Sequence, residues 1–173
     1  RVVMRGPWPD HPAEHWTRGV RVRLCETRQI PGRALDGRIK HLNQLNRITA
    51  RMEWEGSDPA EGLLRDLEGR ILEGTVTNLF AVRDGALVTP ELGRSGLPGI
   101  TRGRVQGLAR EAGFTVAEGE LTPSDLAGAE EVFLTNSLIG IWPVRGVTDL
   151  GVAWQAPGPV TVRLMELLEA SHG

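Results

Sequence analysis

Apolar and polar residues alternate over Val20, Arg21, Val22, Arg23, Leu24 and Cys25, the period-two pattern of a strand with one buried face. Upstream, Val2-Val3-Met4 predicts a short strand over residues 1–6. Pro7, Pro9 and Pro12 then interrupt regular backbone, since each fixes φ and lacks an amide donor. Leu45, Ile48 and Met52 recur at helical spacing and predict a helix over Asn43–Trp54. Short strands are expected at Leu63–Leu67, Ile71–Leu72 and Asn78–Val82, with Asp84-Gly85 as a hairpin turn into Ala86–Val88. Val105, Leu108 and Ala109 predict a helix over Thr101–Ala112, closed by Gly113. A strand is expected at Phe114–Glu118, a capped helix start at Thr122-Pro-Ser-Asp125, and a strand at Glu131–Thr135. The last helix spans Val160–Ala170, with Leu164, Leu167 and Leu168 on its apolar face. Short strands mixed with four helices, without internal repeat, read as an α+β domain.

Composition narrows the function classes. The 173 residues are 40 % hydrophobic and 24 % charged, ordinary values for one globular domain. The net charge is −2 and the arginines are interleaved with acids, which argues against a nucleic-acid surface. A single cysteine, Cys25, excludes an internal disulfide framework and a cysteine-based metal site, and fits a reducing compartment, expected to be the cytoplasm. Lying in a strand, it reads as a small buried apolar side chain. No stretch approaches the length of a membrane span. His11, His15, His41 and His172 show no metal-ligand spacing, and no metal is expected. The five tryptophans are scattered and read as packing residues. The chain opens at Arg1 without methionine and runs straight into a strand pattern, so its beginning is expected to lie upstream.

One residue then changes the picture. Of 20 basic residues only Lys40 is a lysine. An amine can lose its proton, attack a carbonyl and form an imine, whereas a guanidinium cannot. Lys40 lies in Gly37-Arg-Ile-Lys-His-Leu-Asn43, between a glycine loop and the expected helix start. It reads either as an amine activated by helix dipoles or as a solvated lysine at a helix end. In Leu72-Glu-Gly-Thr-Val-Thr-Asn-Leu-Phe80, Glu73 reads either as a carboxylate able to hold a protonated ring nitrogen or as a surface turn acid. Leu97-Pro-Gly-Ile-Thr-Arg-Gly103 leads into a helix whose first amides could take an anion with the Thr101 hydroxyl, or it is an ordinary Pro-Gly turn. Phe133-Leu-Thr-Asn-Ser-Leu-Ile-Gly140 ends a strand in small polar residues, suited to phosphate or carboxylate or simply to a turn.

Taken together and in order, with Lys40 and Glu73 separated by 33 residues, these segments resemble the fold type IV family of pyridoxal-phosphate enzymes. That family comprises the branched-chain and D-amino-acid aminotransferases and the aminodeoxychorismate lyases. The resemblance implies an α+β fold of the D-amino-acid aminotransferase type, with a mixed sheet or pseudo-barrel of short strands and flanking helices. It implies pyridoxal 5′-phosphate as cofactor and Lys40 as the catalytic, Schiff-base lysine. Glu73 would face the pyridine nitrogen and Leu97 the ring; Ile100, Thr101 and Ser137 would hold the phosphate; Asn136 and Leu138 would lie near a small-molecule substrate. Lys40-His-Leu-Asn-Gln-Leu45 and Thr135-Asn-Ser-Leu-Ile-Gly-Ile-Trp-Pro-Val144 look like the lyase versions of their motifs, since branched-chain aminotransferases carry tyrosine where Leu45 stands and usually Gly-Thr-Ala in the second. The activity implied is cleavage of 4-amino-4-deoxychorismate to 4-aminobenzoate and pyruvate, a step toward folate. A class IV aminotransferase and a non-catalytic binding or assembly domain are the alternatives. The family carries an N-terminal domain without counterpart here. Residues 1–17 are therefore expected to be the interdomain strand and linker, residues 18–173 the C-terminal cofactor-binding domain, and the full-length protein a homodimer.

Overall fold

The alternating runs pair into one mixed sheet. The computed structural model describes residues 6, 10–56 and 58–171. The strand expected at residues 1–6 thus lies, but for Gly6, outside the described residues. The elements in chain order are α1 (Glu14–Thr17), β1 (Val20–Arg28), α2 (Leu45–Arg51), β2 (Glu61–Arg65), β3 (Ile71–Gly74), β4 (Asn78–Arg83), β5 (Ala86–Pro90), α3 (Ile100–Glu111), β6 (Val116–Gly119), α4 (Pro123–Ala127), β7 (Glu131–Asn136), β8 (Gly140–Val147), a 3-10 turn at Thr148–Leu150, β9 (Val152–Ala153) and α5 (Pro159–Ala170).

Eight strands follow the order β3-β2-β1-β8-β7-β4-β5-β6, and β9 pairs with β8. β1 runs parallel to both β2 and β8, and β5 to β6; the other pairs are antiparallel. The chain passes from β3, at one edge, to β4, deep in the sheet, through Thr75–Thr77 alone, with the Gly74 N–H donating to the Thr77 carbonyl at 2.7 Å. So short a link requires the sheet to curl. The two edges meet where Ile71 of β3 donates its N–H to the carbonyl of Leu121, just beyond β6, at 2.7 Å. The result is the mixed, curled sheet of an α+β fold, with few flanking helices.

Curling gives the sheet two buried faces. Val22, Leu24, Leu63, Leu79, Ala81, Val132 and Leu134 fill the concave side, closed by Leu121 and Leu126. Phe80, Val82, Leu87, Phe133 and Ile141 point the other way, onto Val105 and Ala109 of α3 and Leu164 and Leu168 of α5. Phe80 and Phe133 are cross-strand partners with rings stacked at 5.0 Å. A third small cluster joins Cys25, Ala50, Trp54 and Leu64 beneath α2.

The turn chemistry explains most boundaries. Asp84 (φ 50°) and Gly85 (φ 72°) close the β4–β5 hairpin in the left-handed region that Asp-Gly tolerates. Thr122 and Asp125 form a reciprocal capping box at α4. Strand β2 ends at Arg65, short of the expected Leu67, because the Asp66 carboxylate accepts the Arg70 N–H at 2.8 Å and Gly69 turns at φ 91°. Phe114 donates its N–H back to Ala109 at 2.9 Å after Gly113 (φ 87°), so β6 begins only at Val116. Besides the short 3-10 turn and the two-residue β9, two described elements carried no signal in the hydrophobic pattern. One is α1, a single turn among prolines. The other is β8, which contains Pro143 one residue before its ladder with β1 begins at Val144.

Candidate functional site

A cavity of about 1270 Å³ opens among the connections that leave these strands. Its wall includes the loop after β1, the β3–β4 link, the loop from β5 into α3, and the β7–β8 turn. Lys40, Glu73, Leu97, Ile100, Thr101, Asn136, Ser137 and Leu138 all line it. Residues dispersed over nearly a hundred positions of sequence are thereby brought to one concavity.

Lys40 is exposed on this wall, and its ammonium has no hydrogen-bond or ion-pair partner among the described residues. It does not sit at a helix start as expected. The backbone from Ile39 to Gln44 is spent in tight local bonds, His41 N–H to the Ile39 carbonyl and Gln44 N–H to the Leu42 carbonyl, both at 2.9 Å. Helix α2 therefore begins at Leu45, and the dipole argument for Lys40 loses its geometry. The loop that carries Lys40 is pressed onto the segment before α3. A Cβ on Gly32 would lie 2.4 Å from the Arg94 backbone, and one on Gly37 would lie 2.6 Å from the Ser95 carbonyl. Ser95 Oγ accepts the Gly32 N–H at 3.0 Å, and the Gly37 N–H donates to the Arg94 carbonyl at 2.7 Å. Only glycine permits that approach.

Glu73 is no surface acid. It lies near the end of β3 with 2 % of its surface exposed. Its Oε1 accepts from Arg47 Nη2 and from Gln29 Nε2 (3.1 Å), and its Oε2 from the Leu97 N–H (3.1 Å). Burial pushes its pKa up to about 7, against the pull of the Arg47 guanidinium and the Leu97 amide. One carboxylate oxygen accepts a single bond and keeps capacity for a further donor.

Sequence reasoning did not single out three residues of this wall. Gln29, 5 % exposed, donates to Glu73 and to the Ser95 carbonyl (2.6 Å) and accepts from Asn46 Nδ2 (2.6 Å). Arg47 is one guanidinium among many in the sequence, and only the fold turns it inward. Glu61, 2 % exposed at the start of β2, accepts from Thr75 N–H, Thr75 Oγ1, Val76 N–H and Thr77 Oγ1, and so pins the whole β3–β4 link. A glutamate just before a Gly-Leu-Leu run is an available signal for a buried acid, although not for what it holds.

The candidate anion-binding features are built from backbone. Helix α3 is 12 residues long, starts at Ile100 after Gly99, and has neither a side-chain cap nor an acid in its first turn. Gly99, Ile100 and Thr101, at its start, line the cavity, and the first amides of a helix have no partner within it. Asn78 orients the approach, donating to the Leu97 carbonyl (2.9 Å) and accepting the Gly99 N–H (3.0 Å). In the β7–β8 turn, Asn136 is occupied internally. Its Oδ1 accepts the N–H groups of Leu138 (2.8 Å) and Ile139 (2.9 Å), and its Nδ2 reaches the Val76 carbonyl at 3.2 Å. That bonding shapes the turn and leaves Ser137 and Leu138 exposed to the cavity.

Comparison with known proteins bears on this geometry. The family model described as amino-transferase class IV matches residues 3–147. Aminodeoxychorismate lyase of Vibrio harveyi is 34 % identical over 141 residues, covering 82 % of this chain and 52 % of its own length. The crystal structure of 4-amino-4-deoxychorismate lyase from Pseudomonas aeruginosa superposes with a TM-score of 0.87 at 40 % identity, over 95 % of this chain and 60 % of that one. The branched-chain amino acid aminotransferase of Escherichia coli gives a TM-score of 0.83 at 34 % identity, over 93 % of this chain and 54 % of that one. The chain thus spans about half the length of the curated relatives it matches.

Proposed function

We propose that this chain, which belongs to the class IV aminotransferase family, holds pyridoxal 5′-phosphate in the cavity lined by Lys40 and Glu73 and forms part of a lyase acting on 4-amino-4-deoxychorismate. The observation that carries the reading is the convergence of a lone amine, a buried ionisable acid and an uncapped helix start on one cavity. The donor set fits the group. The exposed Lys40 Nζ is free to bond an aldehyde carbon; the secluded Glu73 suits a ring nitrogen; the first amides of α3, with Thr101 and the Ser137 hydroxyl, suit a phosphate. When bound, the cofactor supplies an electron sink for carbanion chemistry.

The chain's own residues do the rest. Glu73, in its charged form, would keep a proton on a ring nitrogen held beside it. Lys40 would tether the cofactor through its amine, and the same amine, when free, would take and return the proton at the reacting carbon. Leu97 would pack against the ring, and Asn136 and Leu138, on the same wall, would border the substrate. Ile39, Leu42, Leu45, Ile48 and Met52 are exposed on the loop and helix beside Lys40, and Ile39, Leu42, Ile48 and Met52 belong to the cavity wall. This apolar rim is the face on which a further domain would exclude water, consistent with residues 18–173 forming a cofactor-binding domain. The lyase assignment draws on the two motifs around Lys40 and Asn136 and on the similarity to the Vibrio and Pseudomonas lyases. An aminotransferase is the second reading, favoured by the equal similarity of branched-chain aminotransferases.

Two experiments test this. Incubation with pyridoxal phosphate, borohydride reduction and peptide mapping should label Lys40, the only lysine of the chain. Label confined to the α-amine, or none, would remove Lys40 from the reading. Pyruvate released from aminodeoxychorismate without an added keto acid separates the lyase from the aminotransferase.

A further inference from the structure

The guanidinium of Arg47 meets three consecutive residues. Nη2 donates to Glu73 Oε1, and Nη1 donates to the carbonyls of Gly74 (3.2 Å) and Thr75 (2.9 Å). The two side chains are secluded, 16 % and 2 % exposed. With its acid almost fully covered, each partner of this pair would be costly to leave alone. Arg47 also belongs to α2, the helix that follows the Lys40 loop.

We propose that Arg47 is the positioning residue of Glu73: it draws the carboxyl toward its charged form and into one rotamer, and it fastens the helix after Lys40 to the strand end that carries the acid. The functional meaning rests on the reading of Glu73 as the partner of a ring nitrogen; the contact itself does not. The other donors to Glu73 are neutral, the Gln29 amide and the Leu97 N–H. With those alone, a buried carboxyl takes up a proton, and a neutral acid cannot keep a ring nitrogen charged. The second carboxylate in the neighbourhood, Glu61 of β2, works in the same direction by repulsion, and Lys40 stands exposed on the wall of the same cavity. Among the described residues, only Arg47 opposes them with charge at contact distance. Lysine in its place would keep the charge and lose the fork that spans three acceptors.

The test is the titration of the Glu73 carboxyl in the chain carrying ¹³C-labelled glutamate, without cofactor, with the signal assigned by its loss in Glu73→Gln. In Arg47→Met the midpoint should rise by about one to three pH units, the effect of losing an adjacent opposite charge. Arg47→Lys should recover part of that rise. Arg47→Gln, which retains donors for the Gly74 and Thr75 carbonyls, should show the same rise and covers the case that Arg47→Met does not fold. A midpoint equal to wild type in either folded variant overturns the proposal, as does a loss of thermal stability with the titration unmoved. Because no cofactor takes part, a failure here is separable from a failure of Lys40 to take the borohydride label.

Discussion

Replacing Glu73 by glutamine should remove a fall in stability expected of the wild-type chain between about pH 4.5 and about pH 7. Burial, against the opposing pull of Arg47, places the folded-state pKa at about 7, above the ordinary 4.5 of an unfolded glutamate. At acidic pH both states hold the proton and the group contributes nothing. As pH rises through the ordinary value, the unfolded chain releases its proton first while the folded chain keeps it, so folding is progressively disfavoured. Above the folded value both states are ionised and the whole penalty is present. The displacement corresponds to about 3 kcal/mol at about 1.4 kcal/mol per pH unit, and Glu73 is too buried for solvent to screen it away. Other groups bend the profile too. His15 lies below its usual 6.5, through burial and then the neighbouring His11, so its contribution is present above that value and lost on acidification. Asp125, held down by the Thr122 hydroxyl, loses its contribution at lower pH still. These groups are common to both proteins, so the difference between the two urea-denaturation profiles isolates Glu73. Parallel profiles across the window would refute the assignment of a buried, proton-holding carboxyl at the cavity wall.

Two further outcomes test the packing that builds the site. Gly32→Ala should destabilise by about 1–3 kcal/mol, because the new methyl would overlap the Arg94 backbone at 2.4 Å. Gly103→Ala, in α3 with nothing within 4 Å of the added carbon, should instead stabilise by about 0.5–1 kcal/mol. Denaturation midpoints of the same sign for both would show that loop contact is not what requires glycine at position 32. Cys25 is fully buried, its thiol pushed up to about 12 by burial and then by Glu53, so disulfide-exchange reagents should label it only on unfolding. Rapid labelling of the native chain at neutral pH would contradict the closed cluster beneath α2.

The sequence made legible those parts of the fold governed by neighbours along the chain. Asp84-Gly85 and Thr122-Asp125 mark their turn and cap because the deciding contacts span a few residues. Leu45, Ile48 and Met52 revealed a helix, but periodicity carries no information on what a helix faces. Here it turns that stripe outward and buries only Ala50. β8 stayed hidden because Pro143 and Gly146 break its run, and its strand character comes from β1 and β7 on either side. Lys40 could be singled out by elimination, since chemistry distinguishes an amine from a guanidinium. Arg47 could not, since its importance lies wholly in a contact 26 residues away.

The same division runs through the candidate site. The half expected to take an anion is local, a Pro-Gly entry and an uncapped helix start, and can be read from a few adjacent residues. Its acid half is not: the charge state of Glu73 is decided by burial at a strand end, by a guanidinium from α2, by an amide from the loop before α3 and by a second carboxylate from β2. None of these is a neighbour in sequence, and they oppose one another, so no one of them predicts the outcome. A carboxyl poised between protonation states by such opposed terms responds to any one of them being removed. That makes the Glu73 titration, in the wild-type chain and with Arg47 replaced, the measurement on which the whole constellation can be judged.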